Sequence, residues 1–172
     1  ALHDRTGPDN AEVQRVRLDV QYRPLGLEDF GRRLCEPGTS LIHGDLWPRS
    51  VLVGDDGLFL IDWEFCHHGR PCQDVGHLLA HLWMLNHVHG IGEDPMMSFV
   101  NGYGHDEQPD GPDTVTHMAA EILTRSEGPF VRGYLYDGKP GLAGEAIARG
   151  RDLLVRHPRL PRDVQGAIGP GQ

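Results

Sequence analysis

Residues 41–65 read Leu41-Ile-His-Gly-Asp45-Leu-Trp-Pro-Arg-Ser50-Val-Leu-Val-Gly-Asp55-Asp-Gly-Leu-Phe-Leu60-Ile-Asp-Trp-Glu-Phe65. Two apolar or β-branched runs, 50–53 and 58–61, flank Gly54-Asp55-Asp56-Gly57, a composition that turns a chain back on itself. The stretch is predicted to be a β-hairpin over 50–62. With the reversal centred between Asp55 and Asp56, Asp62 returns opposite Arg49 or Ser50. The two ends of the hairpin then meet, and the loop 43–50 comes beside Asp62 and Glu64. Glu64, two residues beyond Asp62, shares its side if the strand stays extended.

Working outward, Gly69-Arg70-Pro71 makes a turn, and a buried helix is expected over 74–88. Val75, Leu78, Leu79, Leu82, Trp83 and Leu85 supply its apolar face, Asp74 caps or leads its first turn, and Gly90 stops it. Upstream, Leu27, Phe30 and Leu34 space a helix over 25–34, which Glu36-Pro37-Gly38 ends, and 40–42 run extended into His43. Residues 1–23 show no secure element. Downstream, 90–113 is loop-rich around a short apolar piece at 96–103, and further helices are expected over 114–125 and 141–156. Asp137-Gly-Lys-Pro140 reads as a turn, and 161–172 as a flexible tail. Nothing divides the chain, so 1–160 is expected to be one domain of α+β class, mainly α.

The bulk composition narrows the function classes. A net charge of −9 argues against a nucleic-acid partner, which needs a basic face. No apolar run approaches the ~20 residues that cross a bilayer. Three cysteines with no CxxC pair suit a reducing compartment, and a cytoplasmic location is expected.

The motifs carry the chemistry. His43-Gly-Asp45, the hairpin and Ile61-Asp62-Trp-Glu64 resemble the catalytic loop and metal-binding strand of aminoglycoside phosphotransferases and choline kinases, whose pattern is HGDxxxxN, then a hairpin and IDxE. Gly69-Arg-Pro-Cys-Gln-Asp74-Val-Gly resembles that family's Gly-x-Pro-x-x-Asp-Leu-Gly segment, and Phe99-Val-Asn-Gly-Tyr103 its later F-x-x-G-Y piece. These fragments, in order, span 41–103. The resemblance implies the large, C-terminal lobe of a protein-kinase-like fold and transfer of the ATP γ-phosphate to a hydroxyl of a small molecule, with Mg²⁺. By the same resemblance Asp45 is the catalytic base, and Asp62 is the chief metal and nucleotide-phosphate ligand. Ser50 and Glu64 are auxiliary ligands, and His43 and Asp74 brace the loop. Ser50 stands where most of the family has asparagine; methylthioribose kinases resemble this chain in having serine there with an Asp-x-Glu.

Such kinases also need a lobe that covers the phosphates and supplies a lysine. The 42 residues ahead of His43 contain no lysine, Lys139 being the only one in the chain, and no glycine-rich phosphate loop occurs. The nucleotide lobe is therefore expected to be absent, in a fragment or a reduced relative that is inactive without it. A kinase-derived, non-catalytic binding module is the alternative, and metal-assisted hydrolysis by the same acids a third.

Among eleven histidines, His77 and His81 stand four apart on the expected helix, a spacing that lets two imidazoles share a metal, though their leucine neighbours read as a packed helix flank. The pairs His67-His68 and His87-x-His89 are expected in solvated loops. Trp63 is expected in the core, and Trp47 at a substrate entrance.

Overall fold

A computed structural model of the chain describes residues 20–92, 94–103, 111–127 and 135–155. The expected tail at 161–172 lies outside them. The described residues are mostly helical with two small sheets, and they form two compact units that part between Asp74 and Val75.

In the first unit, helix α1 (Glu28–Leu34) starts later than its apolar spacing suggested. Arg23–Leu25 is instead a 3₁₀ turn, closed by Gly26 in the left-handed region (φ 68°). Tyr22, Phe30 and Leu34 are buried, and the rings of Tyr22 and Phe30 meet edge to face with centroids 5.2 Å apart. Four strands follow: β1 (Ser40–Ile42), β2 (Val51–Gly54), β3 (Gly57–Leu60) and β4 (His67–Gly69). Strand β1 pairs antiparallel with β4, setting Ser40 opposite Gly69 and Ile42 opposite His67. That ladder corrects the expectation of a loop at His67-His68. Three residues are too few to show an alternating pattern, and a partner 25 or more residues away leaves no local signal.

Strands β2 and β3 form the expected hairpin, with Val51 opposite Leu60 and Gly54 opposite Gly57. The N–H of Ile61 donates to the carbonyl of Ser50 (3.0 Å), so the pairing runs one rung further and carries Asp62 to the level of Arg49. There the strand stops. Asp62 adopts a left-handed backbone (φ 65°, ψ 45°), and Trp63–Phe65 winds into a 3₁₀ turn. The extended path that was to carry Glu64 to the same side as Asp62 is therefore not taken.

Helix α2 (Pro71–His89) opens three residues before its expected start, with Pro71 at the first position, where its missing N–H has no helical partner to lose. Gly90 (φ 64°) ends it as the sequence indicates. The second unit, from Val75 onward, adds α3 (Asp94–Tyr103), α4 (Gly111–Ser126) and α5 (Pro140–Val155). Helix α3 replaces the short apolar piece in a loop. The core joins Leu79, Met84, Val115, Met118, Ile122, Tyr136, Ala146 and Leu153. Helices α4 and α5 meet closely at Gly150, where an added Cβ would fall 2.7 Å from Leu123 Cγ. His87, expected in a loop, belongs to the last turns of α2. Its Nδ1 lies 3.0 Å from the Tyr136 hydroxyl, its Nε2 lies 3.0 Å from Glu145 Oε2, and its ring stacks on Trp83. Among the described residues no helix is long and apolar enough to cross a membrane.

Candidate active site

The loop between β1 and β2 is organised by one imidazole and one carboxylate, both in the first unit. His43 is buried. Its Nε2 stands 2.7 Å from the carbonyl oxygen of Ile61, which can only accept, so Nε2 carries the proton. Its Nδ1 then accepts from the backbone N–H of Asp45 at 3.3 Å. A single neutral ring thus ties Asp45 to the residue immediately before Asp62. With both nitrogens engaged, His43 has no proton acceptor left to offer.

Asp74 holds the same loop from the other side. Its Oδ2 accepts from the N–H of His43 (2.6 Å) and its Oδ1 from the N–H of Gly44 (2.8 Å). Burial pushes the Asp74 carboxyl above its ordinary value, against the downward pull of those two donors. Ser50 closes the loop. It is fully buried, and its hydroxyl donates to the carbonyl of Asp45 at 3.2 Å. Serine at this position therefore spans the loop from within and does not face solvent.

Three carboxylates remain open to water beside this frame: Asp45 is half-buried, while Asp62 and Glu64 are exposed. Asp62 is the only residue other than glycine with a left-handed backbone among those described. Aspartate tolerates that region better than most residues, and such conformations cluster at functional sites. Trp63 corrects the expectation of a core position, being 41% exposed. Its Nε1–H donates to the carbonyl of Leu60 (2.9 Å), and its ring lies 4.8 Å from that of His43. The guanidinium of Arg49 sits 5.4 Å over the ring of half-buried Trp47, fixing that side chain in the loop.

Sequence reasoning missed one buried polar group. Glu121 of α4 approaches His77 and His81 of α2. The four-residue spacing of the histidines was visible, but a third partner forty residues on was not.

Comparisons with known proteins bear on the family of the chain. The chain is 34% identical over 88 residues to methylthioribose kinase of Yersinia enterocolitica, covering 49% of this chain and 22% of that protein. It is 31% identical over 71 residues to methylthioribose kinase 1 of Oryza sativa subsp. japonica (41% and 16%). It is 25% identical over 75 residues to 4-hydroxytryptamine kinase of Psilocybe cyanescens (40% and 21%). These matches span about a fifth of the length of the relatives. A family comparison matches residues 8–115, more than half of the chain, and by that match the chain belongs to the phosphotransferase enzyme family.

Proposed function

We propose that this chain is the catalytic-loop, C-terminal lobe of a small-molecule kinase that transfers the γ-phosphate of ATP to a substrate hydroxyl. The observation that carries the reading is the His43 ring, which joins the N–H of Asp45 to the carbonyl of Ile61 and so draws the loop aspartate and Asp62 to one structure. Asp45 accepts the proton of the attacking hydroxyl or orients it. The exposed carboxylate of Asp62 is a hard oxygen donor of the kind that suits magnesium, with Glu64, carried off its side by the turn at Trp63–Phe65, only an auxiliary to it. Mg²⁺, were it bound at Asp62, would supply neutralisation of the nucleotide phosphates. Ser50 stiffens the loop and reaches the metal only if its hydroxyl leaves Asp45. Asp74 and His43 keep the loop in place while the charges on it change.

The relatives are named for 4-hydroxytryptamine and methylthioribose, both small hydroxylated molecules, and the proposed acceptor here is of that class. A lobe from outside these 172 residues supplies the phosphate-covering loop and lysine, and this chain does not turn over without it. The chain works in the cytoplasm.

Binding tests this directly. Mn²⁺, a paramagnetic substitute for Mg²⁺, is added with ATP to the isotopically labelled chain. Line broadening centred on residues 43–50 and 60–65, lost in Asp62→Asn, supports the reading. Broadening elsewhere, or unchanged in that variant, sinks it and favours a non-catalytic module.

A further inference from the structure

The second unit buries another donor set, remote in sequence from the catalytic loop. His77 and His81 lie four residues apart on one side of α2, their ring centroids 4.6 Å apart. Glu121 reaches them from α4. Relative exposures of the three are 4%, 0% and 3%. One ligand atom from each lies within 4.8 Å of the others.

The distances separate two readings of this cluster. Glu121 Oε1 is 2.7 Å from Arg125 Nε and 3.3 Å from His81 Nε2, so a charged hydrogen bond accounts for that oxygen. Glu121 Oε2 faces His77 Nδ1 at 3.8 Å, which exceeds a hydrogen bond. It does match the span of two ligands on one ion. Bonds of about 2.0–2.1 Å set such ligands about 3.3 Å apart in a tetrahedron and about 4.1 Å apart when opposed. For a tetrahedral ion the widest gap of 4.8 Å must close by roughly 1.5 Å, a movement that rotations of the Glu121 and histidine side chains have to supply.

The frame around the cluster is rigid. A Cβ built on Gly76 would stand 2.7 Å from the Thr114 carbonyl oxygen and 3.0 Å from His117 Cβ. Helices α2 and α4 therefore touch backbone to backbone one residue before His77, and that contact fixes the register that brings Glu121 level with both imidazoles. Preorganised donors on two rigid elements are what a metal site requires.

We propose that His77, His81 and Glu121 form a binding site for a first-row divalent transition metal, zinc foremost, that clamps α2 to α4. Two imidazoles and a carboxylate are a zinc donor set, and nitrogen ligands disfavour magnesium and calcium. Three protein ligands leave the fourth position of the tetrahedron to a buried water, and burial closes the site to substrate, so its role is structural. Metal enters as the helices pack during folding.

The test uses the whole chain, refolded from denaturant with Zn²⁺ or Co²⁺ and then freed of excess metal. One equivalent should remain, with visible d–d bands for Co²⁺, and an X-ray absorption spectrum of the zinc form should show two imidazoles in an all-nitrogen and oxygen shell. The thermal midpoint should rise with zinc. Retention should be lost in a His77→Gln/His81→Gln double variant and kept in Asp62→Asn, so failure here is distinct from failure of the kinase reading. A folded chain that retains no metal overturns the proposal. So does a sulfur-containing shell, or metal kept by the double variant. If that variant does not fold, the absorption spectrum of the unaltered chain decides alone.

Discussion

Asp74 receives the backbone N–H of His43 on one carboxylate oxygen at 2.6 Å, while its other oxygen takes Gly44 at 2.8 Å. The start of α2 is thereby fastened to the loop that bears Asp45. By taking two adjacent N–H groups of a buried loop segment, this carboxylate does for the loop what a strand would do elsewhere.

Asp74→Asn is expected to destabilise the fold by about 1–3 kcal/mol, because an amide offers one acceptor and turns an N–H toward the other donor. The pH dependence has a definite sign. Burial raises the native carboxyl above its unfolded value, so in that window the native state holds more protons and stability falls as pH rises. Urea unfolding across the window, with the variant subtracted from the parent, should show that falling slope. An equal slope in both chains would refute it.

Asp62 separates backbone from charge. Asp62→Asn retains a residue suited to the left-handed region and should leave the melting temperature near that of the parent. Asp62→Val should cost about 1–3 kcal/mol, since a β-branched side chain resists that conformation. Calorimetry of both variants checks the order.

Assayed with the phosphate-covering lobe of the proposed kinase, Asp45→Asn should lower kcat by about 10²–10⁴ with little change in fold, the range of a lost proton acceptor. Steady-state kinetics with the phosphorylated acceptor as readout measures it. A variant within a few-fold of the parent would remove Asp45 from the base role.

Glu121→Gln should destabilise the second unit by about 1–3 kcal/mol, because it removes the charged hydrogen bond to the partly exposed Arg125. Burial opposes ionisation of Glu121, but His77, His81 and Arg125 together hold its carboxyl well below the ordinary range. Its contribution is therefore present above the unfolded carboxyl value and lost as pH falls through the lower native one. Acid unfolding should be sharper in the parent than in the variant.

Gly150→Ala sets two effects against each other. Alanine gains about 1 kcal/mol of helix propensity, whereas a methyl placed 2.7 Å from Leu123 Cγ overpacks the α4–α5 contact by about 1–3 kcal/mol. Net destabilisation is expected in thermal melts.

The hairpin and its register were legible because Gly54-Asp55-Asp56-Gly57 is a local signal flanked by apolar runs, and Val51 does face Leu60. Helices α4 and α5 were expected to within three residues at either end, α5 from the apolar positions Leu142, Ile147, Leu153 and Leu154. What escaped depends on partners distant in sequence. The β1–β4 ladder pairs three residues with three. The bend at Asp62, which removed Glu64 from its expected side, follows the end of a ladder that no residue type announces. Helix α2 is buried on nearly every side near its start, so His77 and His81 sit among apolar neighbours where a stripe of leucines drew the eye. His87 owes its place to Tyr136 and Glu145, about fifty residues away.

The hairpin has a further consequence for handling the isolated chain. Leu52, Val53, Leu58, Phe59 and Leu60 are all exposed, and each strand has only the other as its neighbour among the described residues. Such a greasy two-stranded ribbon with open rims invites edge-to-edge addition of a second copy. Self-association should therefore grow with concentration, and dilute samples are the ones in which the monomer's own properties are read.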